Sequence, residues 1–293
     1  MDHLLARRLA GMGRKRAGRL FAAGAVREGS RRLRKGDLAR AGAEITVVGF
    51  ESDEAIPEPG APLDVRLETP DLVVVNKPAG QPTVPLSASE RGTLANALVA
   101  RYPEMRTVGY GPREPGLLHR LDTYTSGLLA AARQASVFDR LRAALAAGTV
   151  QKHYLAIVRG HVDVAAGTIV MGLDHHPTDP RRVVARGAPS PEPAVRAATT
   201  HFRVRQRLGD CTLLEVSVSR AFRHQIRAHL AATGWPIVGD ELYGGHPDPR
   251  LGSRHALHAS RILWPGDEVV AGFEVHAPLP AEMQRLLGPE AGD

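Results

Sequence analysis

The feature that most constrains this chain is how its apolar runs are punctuated. From residue 72 onward they are short, and turn residues close them. Leu72–Val75 stops at Asn76-Lys77-Pro78, because proline brings no amide hydrogen to a sheet ladder. Gly127–Ala132 reads as a buried strand and Tyr154–Val158 as another. Residues 194–218 read as two strand segments around Gly209-Asp210, with alternation in Leu214-Glu215-Val216-Ser217-Val218. His255–Trp264 and Val269–Val275 are late strands. Helical patterns are fewer: Leu94–Tyr102, Ser136–Ala147, and His224–Thr233 stopped by Gly234. Strands outnumber helices, and short turns join many of them. This predicts an α+β domain with a mixed, mostly antiparallel sheet, rather than a doubly wound parallel one.

The charge is confined to one end. The formal net charge is +7, yet residues 1–50 hold 12 Lys or Arg against 4 Asp or Glu, while residues 51–293 hold 26 against 27. A compact positive element on a near-neutral body points to a polyanion, nucleic acid before an acidic membrane surface. Coding bias explains 34 Arg against 4 Lys, but not the confinement of the excess to one end. Leu4, Leu5 and Leu9 fit one helical face, and Leu20 and Phe21 lie in a second helix ending at Gly24. A turn at Lys35-Gly36-Asp37 and a strand at Ile45–Val48 complete a small basic module over residues 1–50. Arg7, Arg8, Arg14, Lys15, Arg16 and Arg19 lack the apolar core of a secretory signal. Residues 51–63, rich in acid and proline, read as an extended, solvated linker, and residues 64–293 as the main domain. Residues 172–193, with five prolines, read as an exposed insertion.

No run approaches the roughly 18 apolar residues of a membrane span. The single cysteine, Cys211, forms no internal pair and reads as a small core residue. A reducing cytoplasm is the expected compartment. His175-His176, His224 with His229, and His255 with His258 do not assemble a zinc-type ligand set, so no metal is expected. Phosphate-loop and nucleophile-elbow motifs are absent.

Two segments carry the chemistry. Leu117-Leu118-His119-Arg120-Leu121-Asp122-Thr123-Tyr124-Thr125-Ser126-Gly127 sets a charged cluster between two apolar runs, so its polar side chains emerge on a loop at a strand end. Its alternative reading is a structural aspartate paired to Arg120. In Ser219–His229, Arg223 and Arg227 are four apart on a helix with His224 beside them and Arg220 just before. Like charges at that spacing repel, so an anion is expected nearby. A phosphate backbone suits the cluster, as does Asp122.

These segments resemble the RNA pseudouridine synthases of the RluA type. His119-Arg120-Leu121-Asp122 with Thr125-Ser126-Gly127 resembles the family's central motif. In family order, Val75-Asn76-Lys77-Pro78-Ala79-Gly80, Lys152-His153-Tyr154, His224-Gln225-Ile226-Arg227-x-His229, Gly234-x-Pro236-Ile237-x-Gly239-Asp240, Tyr243-Gly244 and Leu257-His258-Ala259 resemble its other motifs. The resemblance spans about residues 64–287. More weakly, the first fifty residues resemble the RNA-binding module shared with small-subunit ribosomal protein four.

The resemblance implies a cofactor-independent isomerisation of uridine to pseudouridine in ribosomal or transfer RNA. Asp122 matches the essential carboxylate, Arg227 its arginine partner, and Tyr154 the tyrosine packed on the base. Ile226 adds an apolar wall. Arg120 matches a residue that can fill the gap left by a flipped base, a step that costs about a few kcal/mol. His119, Lys77, Lys152, Arg223 and His224 are the remaining expected substrate contacts, with His119 orienting the loop and the two lysines structural or facing phosphate. RNA is the one partner implied. Many members carry Gly-Arg-Thr where this chain has Ala221-Phe222-Arg223, which bears on substrate contacts. The rivals are an idle RNA-binding or ribosome-assembly factor on the same fold, and a hydrolase using Asp122 and His119 on a small substrate.

Overall fold

The apolar runs and the basic amino-terminal stretch form two separate sheets in the structure, a computed structural model that describes residue 5 and residues 14–38, 40–48, 54–87, 89–187 and 196–288. Near the amino terminus, helix α1 (Arg14–Ala22) precedes β1 (Val26–Glu28), β2 (Arg31–Arg32) and β3 (Ile45–Val47), which pair antiparallel in the order β2-β1-β3. Leu5, Ala17, Phe21, Val26 and Leu33 form its core. Gly24 ends α1 in the left-handed region at φ 67°, and the Asp37 carboxylate accepts from the Arg34 amide at 2.8 Å in the expected turn. Arg19, Arg31, Arg32, Arg34, Lys35 and Arg40 are exposed. Leu4, Leu9, Arg7 and Arg8 lie outside the described residues.

The second sheet has ten strands. They are β4 (Val65–Glu68), β5 (Leu72–Lys77), β6 (Ser126–Ala132), β7 (Gln151–Arg159), β8 (Ala166–His175), β9 (Val183–Arg186), β10 (Arg196–Leu208), β11 (Cys211–Val218), β12 (Leu257–Gly266) and β13 (Ala271–His276). Their order is β4-β5-β6-β12-β7-β11-β10-β8-β9, with β13 on β12. Among the described residues β6 and β12 are the one parallel pair, through Ser126–His258 and Gly127–Ala259. This is the mixed, mostly antiparallel sheet that the punctuation predicts.

The central strands are buried on both faces, which is why β5 and β6 read as unbroken apolar runs. Val73 and Val75 face a core closed by Leu94 and Leu98 of α2 (Leu94–Arg101), and by Ile226 and Leu230 of α4 (Gln225–Ala232). Leu72 and Val74 face the opposite core, closed by Val137, Phe138 and Leu141 of α3 (Ala135–Ala147). A last helix, α5 (Ala281–Leu287), buries Met283 and Leu286. Thr93 caps α2, accepting from the Asn96 amide at 3.2 Å while Asn96 accepts from the Thr93 amide at 3.1 Å. Cys211 is buried as expected. Among the described residues no helix is long and apolar enough to cross a membrane.

Two expectations need correction. Residues 54–63 are not a solvated linker. The Ala55 amide donates to Pro112 O at 3.0 Å, Asn96 Nδ2 to Ile56 O at 2.8 Å, and Gln81 Nε2 to Pro62 O at 3.0 Å, so the stretch lies docked on the domain. Residues 50–53 lie outside the described residues. The expected insertion at 172–193 is built on a strand pair rather than being a free loop. Its first residues extend β8, and β9 returns antiparallel to it, with Gly172 opposite Arg186. Leu173 and Val183 are buried against Ala228 and Tyr243. Residues 188–193 lie outside the described residues. β4, β8, β9 and α5 were not expected: β4 and β9 are short edge strands, β8 has an irregular burial pattern, and α5 is a two-turn helix, so each carries weak periodicity.

Candidate active site

The site forms where β5 ends and where β6, β7 and β12 begin. Asp122 sits on the loop entering β6, and its shape is fixed from below. The Thr125 amide donates to Asp122 O at 3.0 Å and closes a tight turn. The Thr83 hydroxyl donates to Leu121 O at 2.6 Å. Gly80 N donates to Thr123 O at 2.8 Å. Lys77 is 1% exposed, and its Nζ donates to Pro78 O, Gln81 O and Thr123 O at 2.8, 2.8 and 3.0 Å. An ammonium has three donors, so none is left for substrate. Lys77 braces the loop, the structural of the two roles expected for it, and offers no free donor for a substrate contact. Burial pulls its pKa down to about 7 against the opposing pull of the Asp122 charge.

The start of β6 is locked to β12. Thr125 Oγ1 lies 2.7 Å from His255 Nε2, and Ser126 Oγ lies 2.7 Å from both His258 Nδ1 and Arg254 Nη2. Gly127 has φ 117°, and a Cβ there would sit 2.3 Å from Ala259 O. The parallel strands meet too closely for any side chain, so the motif's glycine is a packing requirement.

Asp122 is bound by charge. Arg227 Nη1 donates to its Oδ2 at 2.7 Å. The same guanidinium donates through Nε and Nη2 to Oδ2 and Oδ1 of buried Asp240 at 2.7 and 2.8 Å. Tyr243 lies under the guanidinium with its ring centroid 5.1 Å away. Its hydroxyl accepts from the Val183 amide at 2.9 Å and sits 2.9 Å from His224 Nδ1. His224 Nε2 is 3.7 Å from Asp122 Oδ1. His224 itself takes the left-handed region, φ 54°, at the mouth of α4. Such a conformation in a residue with a side chain is held by its surroundings and is common at sites.

Burial pushes the Asp122 carboxyl up, but the charges of His224 and Arg227, with the Arg227 hydrogen bond, outweigh it and hold the group below its ordinary value. Asp122 is therefore ionised at neutral pH. Burial lowers His224. Tyr154 is 5% exposed, and burial, with the Asp122 charge, raises its phenol, so it stays neutral. Tyr154, Ile226, Leu257, Val218 and Phe222 give Asp122 an apolar pocket of about 50 Å³. The pocket opens beside a cleft of about 1110 Å³, in whose lining Asp122 and Arg227 also take part. An ionised carboxylate, a fixed cation and an apolar slot together suit a reaction that develops positive charge on one face of a flat ring system.

The remaining expected residues fall around this pocket. Arg120 is exposed at its rim, paired with Glu114 at 3.1 Å. His119 Nε2 accepts from the Ala130 amide at 3.3 Å, and burial drops its pKa to about 3, so it is a neutral brace. Arg223 donates through Nη2 to Pro180 O and Arg181 O at 2.9 and 2.6 Å, and so fastens the turn between β8 and β9. Lys152 faces an adjoining groove. Phe222, in the segment that departs from the family pattern, adds apolar surface to the pocket wall. Sequence reading did not single out Asp240, Tyr243, Thr83, Thr125 or His255 as site residues. Asp240 and Tyr243 were visible in the Gly239-Asp240 and Tyr243-Gly244 motifs. Their roles depend on the side of α4 that the chain returns to.

The family described as RNA pseudouridylate synthase matches residues 71–232. An uncharacterized RNA pseudouridine synthase of Chloroflexus aurantiacus is 40% identical over 72% of this chain, and the match spans 64% of that relative. The ribosomal large subunit pseudouridine synthase D of Salmonella typhimurium is 34% identical over 84% of this chain and 76% of its own. Among solved structures, human RNA pseudouridylate synthase domain containing 1 is similar at a TM-score of 0.58 and 27% identity, covering 75% of this chain and 86% of that one.

Proposed function

From a chain that belongs to the RNA pseudouridine synthases, isomerases that act on RNA, we infer a uridine isomerisation carried by Asp122 and directed to ribosomal RNA. The observation that carries the assignment to Asp122 is the Asp122–Arg227–Asp240 chain of ion pairs at the wall of an apolar pocket. In the reaction the bond from the ribose carbon to uracil N1 breaks, the base turns, and the same sugar carbon bonds to C5. The hydrogen on C5 leaves as a proton, and N1 takes one up. Atoms and electrons balance without a cofactor.

Asp122 supplies the negative charge that the electron-poor sugar carbon needs when the base departs. Arg227 keeps that carboxylate ionised and aimed, and Asp240 holds Arg227 from behind. The Tyr154 ring, with Ile226 and Leu257, packs on the uracil and keeps it in the slot while it turns. Reaching this pocket requires the uridine to leave its stack, and Arg120, exposed at the rim, fills the gap it leaves.

Two observations support a ribosomal substrate: the function in the name of the Salmonella typhimurium relative, and the exposed arginines of the amino-terminal module. Residues 1–50 act as an RNA-binding module and residues 64–293 as the catalytic domain. The intact ion-pair set around Asp122 favours catalysis over an idle binding factor, which would not need a carboxylate held ionised in a pocket. The test is nucleoside analysis of unmodified ribosomal and transfer RNA after incubation with the enzyme. Pseudouridine is expected in ribosomal RNA, with an equal loss of uridine. Pseudouridine in transfer RNA alone overturns the substrate, and none in either overturns the activity.

A further inference from the structure

Lys152 lies in the wall of a groove of about 540 Å³ that runs from Asp122 past His119 and Arg120 to Arg142 and Arg220. Its side chain is buried, 5% exposed for the whole residue. It is the second residue of β7, where its backbone is pinned between Val218 of β11 and Ile262 of β12. Among the described residues Lys152 makes no ion pair and no side-chain hydrogen bond. Its ammonium is not fully enclosed and opens on the groove. This contrasts with Lys77, equally buried, whose ammonium is fully bonded.

Two carboxylates line the groove, and both are engaged elsewhere: Glu114 with Arg120 at 3.1 Å and Asp122 with Arg227 at 2.7 Å. Arg220 is exposed and unpaired among the described residues. Burial draws Lys152 down to about 8 with no anion offsetting it. A buried cation without a counter-ion is costly unless something pairs with it when the protein works. The groove's surplus of positive charge fits one kind of occupant, a singly charged phosphodiester.

We propose that Lys152 is a phosphate-binding residue that grips a backbone phosphate of the RNA next to the flipped uridine, with Arg220 further along the same strand. The inference rests on the reading of this site as an RNA-modifying one. It explains why a compact lysine stands in a chain that uses arginine almost everywhere else. A recessed point charge reaches one phosphate oxygen without the width of a guanidinium. Lys152 binds and orients the strand and takes no part in bond making.

The experiment is steady-state kinetics of tritium release from RNA labelled at C5 of uridine, for wild type, Lys152→Met and Lys152→Arg, over a range of salt. Methionine keeps the apolar stem and removes the charge. Thermal unfolding selects folded variants. Lys152→Met is expected to raise KM about tenfold, more than it changes kcat, and to reduce the salt slope of log KM by about 1. Lys152→Arg, which keeps the charge but brings the wider guanidinium, is expected to restore that slope while leaving KM raised. In wild type, a neutral methylphosphonate at one linkage beside the target should raise KM by a similar factor, and should add nothing in Lys152→Met. An active wild type with a folded Lys152→Met of unchanged KM and unchanged salt slope overturns the phosphate contact. A wild type that releases no tritium overturns the functional reading beneath it, so the two failures are distinct. If Lys152→Met does not fold, the methylphosphonate series on wild type and Lys152→Arg decides. Indifference of wild type at every flanking linkage rejects the proposal.

Discussion

Arg227 is shared between two carboxylates that do different jobs, and this makes Asp240→Asn a sharp test. Asp240 is 2% exposed and binds the guanidinium at two points, 2.7 and 2.8 Å. The amide keeps the shape but removes the charge and turns an NH2 toward one guanidinium N–H. Charge-assisted hydrogen bonds are worth about 1.5–3 kcal/mol each, and breaking a buried pair costs about 3–5 kcal/mol. One bond lost and one weakened gives a destabilisation of about 3 kcal/mol. For a domain of this size that is a Tm fall of about 6–12 °C. Asp122→Asn removes a single 2.7 Å contact from a half-buried carboxylate and leaves the two-point clamp intact, so its cost is about 1 kcal/mol. The expected pattern is therefore crossed. Asp240→Asn loses much stability and keeps some tritium release, whereas Asp122→Asn loses only about 2–4 °C of Tm and loses turnover. Differential scanning fluorimetry beside the release assay reads both. A Tm for Asp240→Asn within 2 °C of wild type, or a larger fall for Asp122→Asn, refutes the assignment of Asp240 as the structural anchor.

Other outcomes follow from the same geometry. Gly127→Ala places a methyl 2.3 Å from Ala259 O at φ 117°, so backbone strain and overpacking together should cost about 3 kcal/mol of stability, read as a lower Tm and soluble yield. His229 is fully buried with neither ring nitrogen bonded, and burial holds it at about 4. The unfolded chain binds its proton below about 6.5 and the folded one only below about 4, so stability is lost as pH falls through that window. The loss is about 2 kcal/mol between pH 7 and 5, and urea midpoints for His229→Leu should fall less over that range than those for wild type. Removing residues 1–50 should weaken RNA binding and flatten its salt dependence. An unchanged slope in a filter-binding titration contradicts the RNA-binding role given to that module.

The loop that bears Asp122 was legible because its information is local. His119 to Gly127 carries a charged cluster between two strands, and the structure places that cluster at the junction where β6 meets β12. The both-face burial of β5 and β6 likewise left continuous apolar runs. Contacts that depend on the return of the chain were not legible. Nothing near Asp240 signals that it stands behind Arg227, and nothing near Thr125 signals a 2.7 Å contact with His255. Lys77 and Lys152 look alike in sequence, yet one is tied to three carbonyls and the other opens on a groove. That difference arises from the loop carbonyls of Pro78, Gln81 and Thr123, which the fold gathers around Lys77 alone. The stretch at 172–193 misled because its prolines suggested a solvated loop, while buried Leu173 and Val183, with the hydrogen bonds to Arg223 and Tyr243, hold a hairpin against α4.

The central claim is that Asp122 carries the isomerisation. Its most direct test is tritium release from C5-labelled ribosomal and transfer RNA, presented separately to wild type and Asp122→Ala. The account predicts release by wild type from ribosomal RNA and none by the variant, with the variant still binding that RNA. Equal release by both proteins contradicts it and assigns the chemistry to another residue.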